Sequence, residues 1–314
     1  MRLIPKRKSA RITAAAVVGA VLVGGPLVVN ANANQTVQEE HPAGPPGVKA
    51  KGAYLLDAGA GKGMWGKAAD TKREMASTTK LMTAAVVVSS GVDLDRKVTV
   101  KQAYRDYVTK WGGSQADLKT GDKLTVRQLL YGMLLPSGCD AAYALADTVG
   151  TGDTMAARTK SFISKMNAKA EQLGMKNTRY DSFDGISKKN ENYSTPRDMA
   201  TLGKYALGSK NIRKVVKSKS TKQEAPNGRV YTWTNTNRLL GSYKGVIGIK
   251  TGTGSKAGPC LIFAAEDGGR TIVGTILNSG DRYPDATKML DWGLDKQSTS
   301  DVKLRKLPKN AERD

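Results

Sequence analysis

Apolar residues recur along this chain with two different periods. Gly52-Ala53-Tyr54-Leu55-Leu56-Asp57 and the Met64–Trp65 region read as a hairpin of two strands, split by a glycine-rich turn from Ala58 to Gly63. From Ser77 the period lengthens. Ser-Thr-Thr opens a helix that continues through Lys80, Leu81, Met82 and the apolar run Ala84–Val88, and Gly91 closes it. Val126–Leu135 is a second helix, stopped by Pro136. Ala141–Val149 and Ala156–Leu173 are further helices, the latter ended by Gly174, and a helix from about Pro196 to Leu207 carries proline in its first turn. Beyond it the pattern returns to short β-type runs: Val246-Ile247-Gly248-Ile249, Cys260–Ala265 and Thr271–Leu277, with glycine-rich turns between them. Asp285–Leu294 reads as a closing helix.

Strands at both ends and helices in the middle predict a mixed fold class, α/β plus all-α. Residues 51–75 and 228–295 would form an α/β lobe, residues 76–227 an inserted all-helical lobe, and residues 296–314 a polar tail. No internal repeat is visible. The first 33 residues have the make-up of an export signal. Arg2, Lys6, Arg7, Lys8 and Arg11 precede an apolar run from Ile12 to Val29, and Ala31-Asn32-Ala33 offers a small-x-small cleavage site. The run is barely long enough to span a membrane, and Gly19, Gly24, Gly25 and Pro26 weaken it, so removal is favoured over retention as an anchor. Residues 34–50, rich in Pro, Gly and Glu, read as a flexible leader.

Charge and composition then narrow the chemistry. The 314 residues carry a formal net charge of +22, spread along the chain without an arginine-rich tail or a nucleic-acid motif. For an exported protein the matching partner is an anionic surface of membrane or wall polymers, not nucleic acid. The single histidine, His41, lies in the leader, so a Ser-His-Asp triad is excluded in practice. With only two cysteines, Cys139 and Cys260, a zinc site lacks ligands, and free thiols are favoured over a disulfide.

Three short motifs remain. In Ser77-Thr78-Thr79-Lys80 the first and last residues share a helix face. A serine needs a nearby base to become a nucleophile, and without histidine that base is lysine, which must shed its proton with help from desolvation or a second cation. Ser137-Gly138-Cys139 follows Pro136, where a hydroxyl on a rigid loop could relay a proton to a leaving amine. Lys250-Thr251-Gly252-Thr253-Gly254 ends a β-type run; its cation and hydroxyl could hold a carboxylate while its glycines admit a close ligand. Each motif alone has a bland reading: a helix cap, a turn, a surface loop. Lys119-Thr120-Gly121 repeats the last tripeptide but has no β run before it and reads as a turn.

Together, Ser-x-x-Lys, a Ser-x-Asn-type element and Lys-Thr-Gly are the signature of penicillin-binding proteins and class A β-lactamases. The chain resembles the low-molecular-mass penicillin-binding proteins, the serine D-alanyl-D-alanine carboxypeptidases and transpeptidases, from roughly Ala50 to Leu294. Supporting stretches include Leu129–Ala142, Tyr193–Asp198, Asn235–Leu240 and Gly245–Gly252. The resemblance implies the penicillin-binding fold, an antiparallel sheet flanked by helices with an inserted helical lobe. It implies that Ser77 attacks the penultimate D-alanine carbonyl of a peptidoglycan stem, that Lys80 is the base, and that Ser137 passes the proton on. Lys250 and Thr251 would hold the substrate carboxylate, Cys139, Gly252 and Thr253 would line the substrate site, and the backbone N–H groups of Ser77 and Thr253 would form the oxyanion hole. β-Lactams would trap Ser77, and no metal or organic cofactor is implied.

One residue departs from the family pattern: Cys139 stands where the family usually has Asn, and a thiol cannot supply an amide's paired donor and acceptor. The Ser-Gly-Cys form resembles a subgroup of exported DD-peptidases that act mainly as transpeptidases, which favours transfer over hydrolysis. A cysteine nucleophile is a competing reading, as is a catalytically dead wall-binding or penicillin-sensing module. A class A-like β-lactamase would need a Glu-x-x-Leu-Asn segment between Ser137 and Lys250, where Glu171 leads into Gln172-Leu173-Gly174 and Glu191 into Asn192-Tyr193.

Overall fold

The computed structural model describes residues 44–297 and 302–311; the expected export signal and most of the expected leader, including His41, lie outside the described residues. In chain order the strands β1 (Gly52–Asp57), β2 (Lys62–Lys67) and β3 (Arg73–Glu74) lead into a short 3-10 turn, Ala76–Thr79, and helix α1 (Lys80–Ser89). Then come β4 (Lys97–Thr99), α2 (Gln102–Trp111), β5 (Lys123–Thr125), α3 (Val126–Leu134), α4 (Cys139–Val149) and α5 (Met155–Gln172). These are followed by β6 (Tyr193–Ser194), α6 (Pro196–Gly208), α7 (Lys210–Lys217), β7 (Ser220–Glu224) and β8 (Val230–Thr234). The chain returns to the main sheet as β9 (Val246–Gly254), β10 (Gly258–Asp267) and β11 (Arg270–Leu277), and α8 (Arg282–Gly293) closes it.

Five strands from the two ends of this region form one sheet in the order β2-β1-β11-β10-β9, with every neighbouring pair antiparallel. Successive side chains on a strand face opposite ways, and here both faces are covered. Ala53 and Leu55 of β1, Leu261 and Phe263 of β10 and Ile272 and Ile276 of β11 pack in one core with Met289 and Leu290 of α8. Tyr54, Leu56, Ile262, Val273 and Leu277 point the other way, into a core shared with Leu81 of α1 and Leu202 of α6. Two buried faces explain why β10 and β11 read as continuous apolar runs and not as alternation.

Helices α1 to α7 lie between β2 and β9, and several of them start on a clear local signal. Thr125 and Gln128 form a reciprocal capping box at α3, and Thr195 caps α6 through the Asp198 N–H with Pro196 in the first turn. Several elements were not read from the sequence, among them the short strands β3 to β6, helices α2 and α7, and the β7–β8 hairpin. The eight residues of α7 bury only Ile212, Val215 and Val216 among lysines and arginine, and β8 buries only Tyr231 and Trp233. Helix α2 did carry a signal, since Tyr104, Tyr107 and Val108 stand at i, i+3 and i+4. The lobe boundary expected at 227/228 falls in the turn joining β7 to β8, and Trp233 Nε1 ties that hairpin to the Ala116 carbonyl at 2.8 Å.

Two stretches expected to be loose are pinned. Residues 44–50 of the leader lie against α8: the buried Asp285 carboxylate accepts the Lys49 and Ala50 N–H groups at 2.9 and 2.8 Å, and Val48 and Ala50 are buried. In the tail, Val302 and Leu304 pack on the α8 core, and Arg305 donates to the carbonyl of Asn237 at 3.2 Å. Two partly buried apolar residues and one arginine thus tie the segment to the core, although its overall composition is polar. Among the described residues no helix is long and apolar enough to cross a membrane.

Candidate active site

Ser77 sits where β9 meets the 3-10 turn. In such a turn residues three apart eclipse one another, so Ser77 and Lys80 are brought to one side even more directly than in an α-helix. Lys80 is wholly buried, and its Nζ donates to Ser77 Oγ at 2.9 Å and to the Asp184 carbonyl at 2.9 Å. Two glycines let the backbone close around this pair. A Cβ on Gly252 would stand 2.9 Å from the N atoms of Ser77 and Thr78, and a Cβ on Gly185 would meet the Ala76 carbonyl at 2.1 Å. Asn192 Nδ2 donates to Thr79 Oγ1 at 2.9 Å and ties the same turn to the segment before β6.

Ser137 lies between α3 and α4, fully buried, with a left-handed φ of +68°. That conformation is costly for a residue with a Cβ, of order 1–3 kcal/mol, and must be held by its surroundings. The Gly138 N–H donates to the Gly132 carbonyl at 3.1 Å and the Cys139 N–H to the Ser114 carbonyl at 2.8 Å. Asp140, also buried, accepts the N–H groups of Ala116 and Leu118 at 2.8 and 3.0 Å, although burial pushes its carboxyl above the usual range. The loop from 114 to 118 is thus fixed to the start of α4. On this platform Ser137 Oγ accepts from Lys250 Nζ at 2.9 Å, and Lys250 is buried as well.

The remaining motif residues divide. Ser77, Cys139 and Thr253 line one pocket of about 420 Å³, together with Glu74, Trp111 and Lys256. Ser77 and Thr253, the two residues expected to form the oxyanion hole, therefore border the same space. Thr253 is exposed, and its Oγ1 accepts from Arg282 Nη1 at 2.9 Å, while the same guanidinium reaches the carbonyls of Gly252 and Cys260. Thr251, expected beside Lys250 as a carboxylate grip, is set back: its hydroxyl is buried 2.6 Å from that of Thr236. A side chain two residues further along the strand, Thr253, offers the open hydroxyl instead.

Cys139 is buried, with Sγ 4.0 Å from the Ser137 carbonyl. Burial pushes its thiol far above the ordinary range, against a smaller opposing pull from Lys80. A thiol held in its neutral form is a poor nucleophile, which counts against the cysteine reading. Cys260 is buried in the core and burial raises its thiol to about 11. Both are free thiols.

Several contributors escaped the sequence reading. Asp184 acts through its main-chain oxygen, which no side-chain pattern betrays; only the Asp184-Gly185 turn dipeptide hints at a loop there. Arg282 and Asn192 come from distant segments with no motif of their own, and Thr236 lies in the Asn235–Leu240 stretch without having been read as a site residue. Glu74 precedes the Ser77 motif but belongs to no spacing rule.

A serine hydroxyl on a buried lysine at the edge of a pocket, and a second serine on a second buried lysine, are the arrangement of an active-site-serine acyl-transfer enzyme. The chain belongs to the peptidase S11 family of D-alanyl-D-alanine carboxypeptidases, whose model matches residues 36–280. It is 51% identical over 258 residues to the D-alanyl-D-alanine carboxypeptidase of Streptomyces sp. strain K15, covering 79% of this chain and 88% of that one. It is 30% identical over 257 residues to the D-alanyl-D-alanine carboxypeptidase DacF of Bacillus subtilis, covering 80% of this chain and 64% of that longer protein. Among solved structures, that of the Streptomyces K15 DD-transpeptidase superposes with a TM-score of 0.78 at 51% identity, over 81% of this chain and 100% of that one. A D-alanyl-D-alanine carboxypeptidase from Mycobacterium tuberculosis gives 0.71 at 28% identity, over 82% and 94% of the two chains. The fold is the penicillin-binding fold, and the protein is a low-molecular-mass serine DD-peptidase.

Proposed function

We propose that the enzyme is exported, forms its acyl-enzyme on Ser77 from D-Ala-D-Ala-terminated peptidoglycan stems, and passes the acyl group to an amine in preference to water. The observation that carries this reading is the pair of 2.9 Å contacts, Lys80 Nζ to Ser77 Oγ and Lys250 Nζ to Ser137 Oγ, with both lysines buried.

Lys80 in its amine form takes the Ser77 proton as Oγ bonds to the penultimate D-alanine carbonyl carbon. The oxyanion that results faces the backbone N–H groups of Ser77 and Thr253, an arrangement that typically contributes a few kcal/mol to lowering such a barrier. The C–N bond then breaks, and the leaving D-alanine amine receives a proton relayed by Ser137. Lys250, behind Ser137, supplies positive charge toward the substrate's terminal carboxylate, and Thr253 supplies the reachable hydroxyl. Water would complete hydrolysis, and an amine on a neighbouring stem would complete a cross-link. Cys139 replaces an amide on the pocket wall and so removes one polar grip on the donor.

Division of the described chain into an α/β lobe around the five-stranded sheet and a helical lobe between β2 and β9 suits this scheme, because the site lies where Ser77, Ser137 and Lys250 converge from both. The basic surface suits an anionic wall or membrane environment, and the N-terminal export signal suits delivery there. β-Lactams would acylate Ser77 as inhibitors. The test is turnover of a D-Ala-D-Ala tripeptide with and without added glycylglycine. D-Alanine release with an amide product that grows with glycylglycine is the expected result; absence of D-alanine release in both cases contradicts the proposal.

A further inference from the structure

The pocket holds one group that the scheme above does not use. Glu74 lines it beside Ser77, half-buried, and among the described residues no hydrogen bond or ion pair engages its carboxylate. That is unexpected in a chain with a net charge of +22. The neighbouring cations are occupied elsewhere. Adjacent side chains on a strand point to opposite faces, and Arg73 reaches away to the Lys51 carbonyl at 2.8 Å. Lys72 sits 5.0 Å above the Tyr193 ring. Lys256, on the pocket wall, donates to Asn190 Oδ1 at 2.6 Å.

An uncompensated carboxylate is a poor neighbour for the donor stem, whose end is itself a carboxylate. It is a good neighbour for a cation. Resting on the DD-transpeptidase reading, we propose that Glu74 is the docking group for the ammonium of the acceptor amine. Elsewhere the basic surface repels such an acceptor, and a local carboxylate at the pocket offsets that repulsion and raises the acceptor's concentration near the ester. The docked ammonium gives up one proton to solvent. The amine nitrogen then bonds to the acyl carbon, the ester C–O bond to Ser77 breaks, and the second nitrogen proton returns to Ser77 Oγ.

The test is the partition of one acyl-enzyme. Full-length protein and its Glu74→Gln and Glu74→Lys variants are given a D-Ala-D-Ala donor with rising glycylglycine, or with rising methanol as an uncharged acceptor. The ratio of transfer to hydrolysis is read in each case. Both products arise from the same intermediate, so the ratio does not depend on how much protein is folded or how fast it is acylated. The glycylglycine slope is expected to fall about fivefold in Glu74→Gln, as for loss of a part-exposed ion pair, and further in Glu74→Lys, with the methanol slope unmoved. A glycylglycine slope unchanged in both variants, or a methanol slope that falls equally, overturns the inference. A wild-type protein that forms no acyl-enzyme overturns the DD-peptidase mechanism itself, a separate result.

Discussion

Ser137 Oγ and Lys250 Nζ, 113 residues apart in the chain, meet at 2.9 Å in the floor of the site. The contact joins the turn before α4 to the last strand of the main sheet, so any loosening of either side separates them. Ser137→Ala keeps the loop's shape but removes the relay hydroxyl. Its acylation by a D-Ala-D-Ala substrate is expected to slow about 100-fold or more, the range for loss of a proton-transfer group. Stopped-flow or quench measurement of the acylation rate checks this.

Gly252→Ala places a methyl 2.9 Å from two backbone nitrogens of the Ser77 turn. The strand or the turn must yield, which shifts the Ser77 N–H from its place in the proposed oxyanion hole. Acylation should fall by about 100-fold, because misplacing an oxyanion donor by a fraction of an ångström forfeits most of its effect. Circular dichroism beside the acylation rate separates this from unfolding.

Both thiols should resist alkylation in the native protein. Burial holds Cys139 and Cys260 in their neutral forms at pH 7.5. Iodoacetamide followed by mass spectrometry is expected to modify neither residue until denaturant is added; labelling of Cys139 in the folded protein would contradict the packing described.

Asp147 anchors α4. Burial pushes its carboxyl up, but Arg158, Lys101 and Tyr104 together hold it below the usual carboxylate range. A depressed folded value means that the stabilisation is present above the unfolded value, about pH 4, and is lost as pH falls further through the folded value. Asp147→Asn should cost about 2–4 kcal/mol at pH 7 and lose less additional stability on going from pH 5 to pH 2. Urea denaturation across that range reads both effects.

The C-terminal segment is expected to contribute to stability. Truncation before Val302 removes the apolar contacts of Val302 and Leu304 and the Arg305 bridge to the Asn237 carbonyl. A loss of about 2–3 kcal/mol in thermal or urea denaturation is the expected outcome.

What the sequence revealed follows from the range of the interactions involved. Ser77 with Lys80 is a local relation, fixed by one turn, and strands such as β10 announce themselves by composition. The order of strands and helices was enough to predict a sheet built from both ends with helices between. Arg282 and the Asp184 carbonyl reach the site only because distant segments bring them there, and no spacing along the chain encodes that. Thr251 shows the same limit at finer scale: its motif was visible, but whether its hydroxyl faces the pocket or Thr236 is decided by packing across 15 residues. The pinned leader and tail were hidden because a few buried or half-buried residues outweigh a polar average.

The central claim, that Ser77 is the acylated nucleophile, is tested most directly by incubating the protein and its Ser77→Ala variant with a fluorescent penicillin and mapping the adduct by mass spectrometry. The account predicts a stable adduct on the peptide carrying Ser77 and none in the variant. An adduct on another residue, one that persists in Ser77→Ala, or rapid penicillin loss without an adduct, would contradict it.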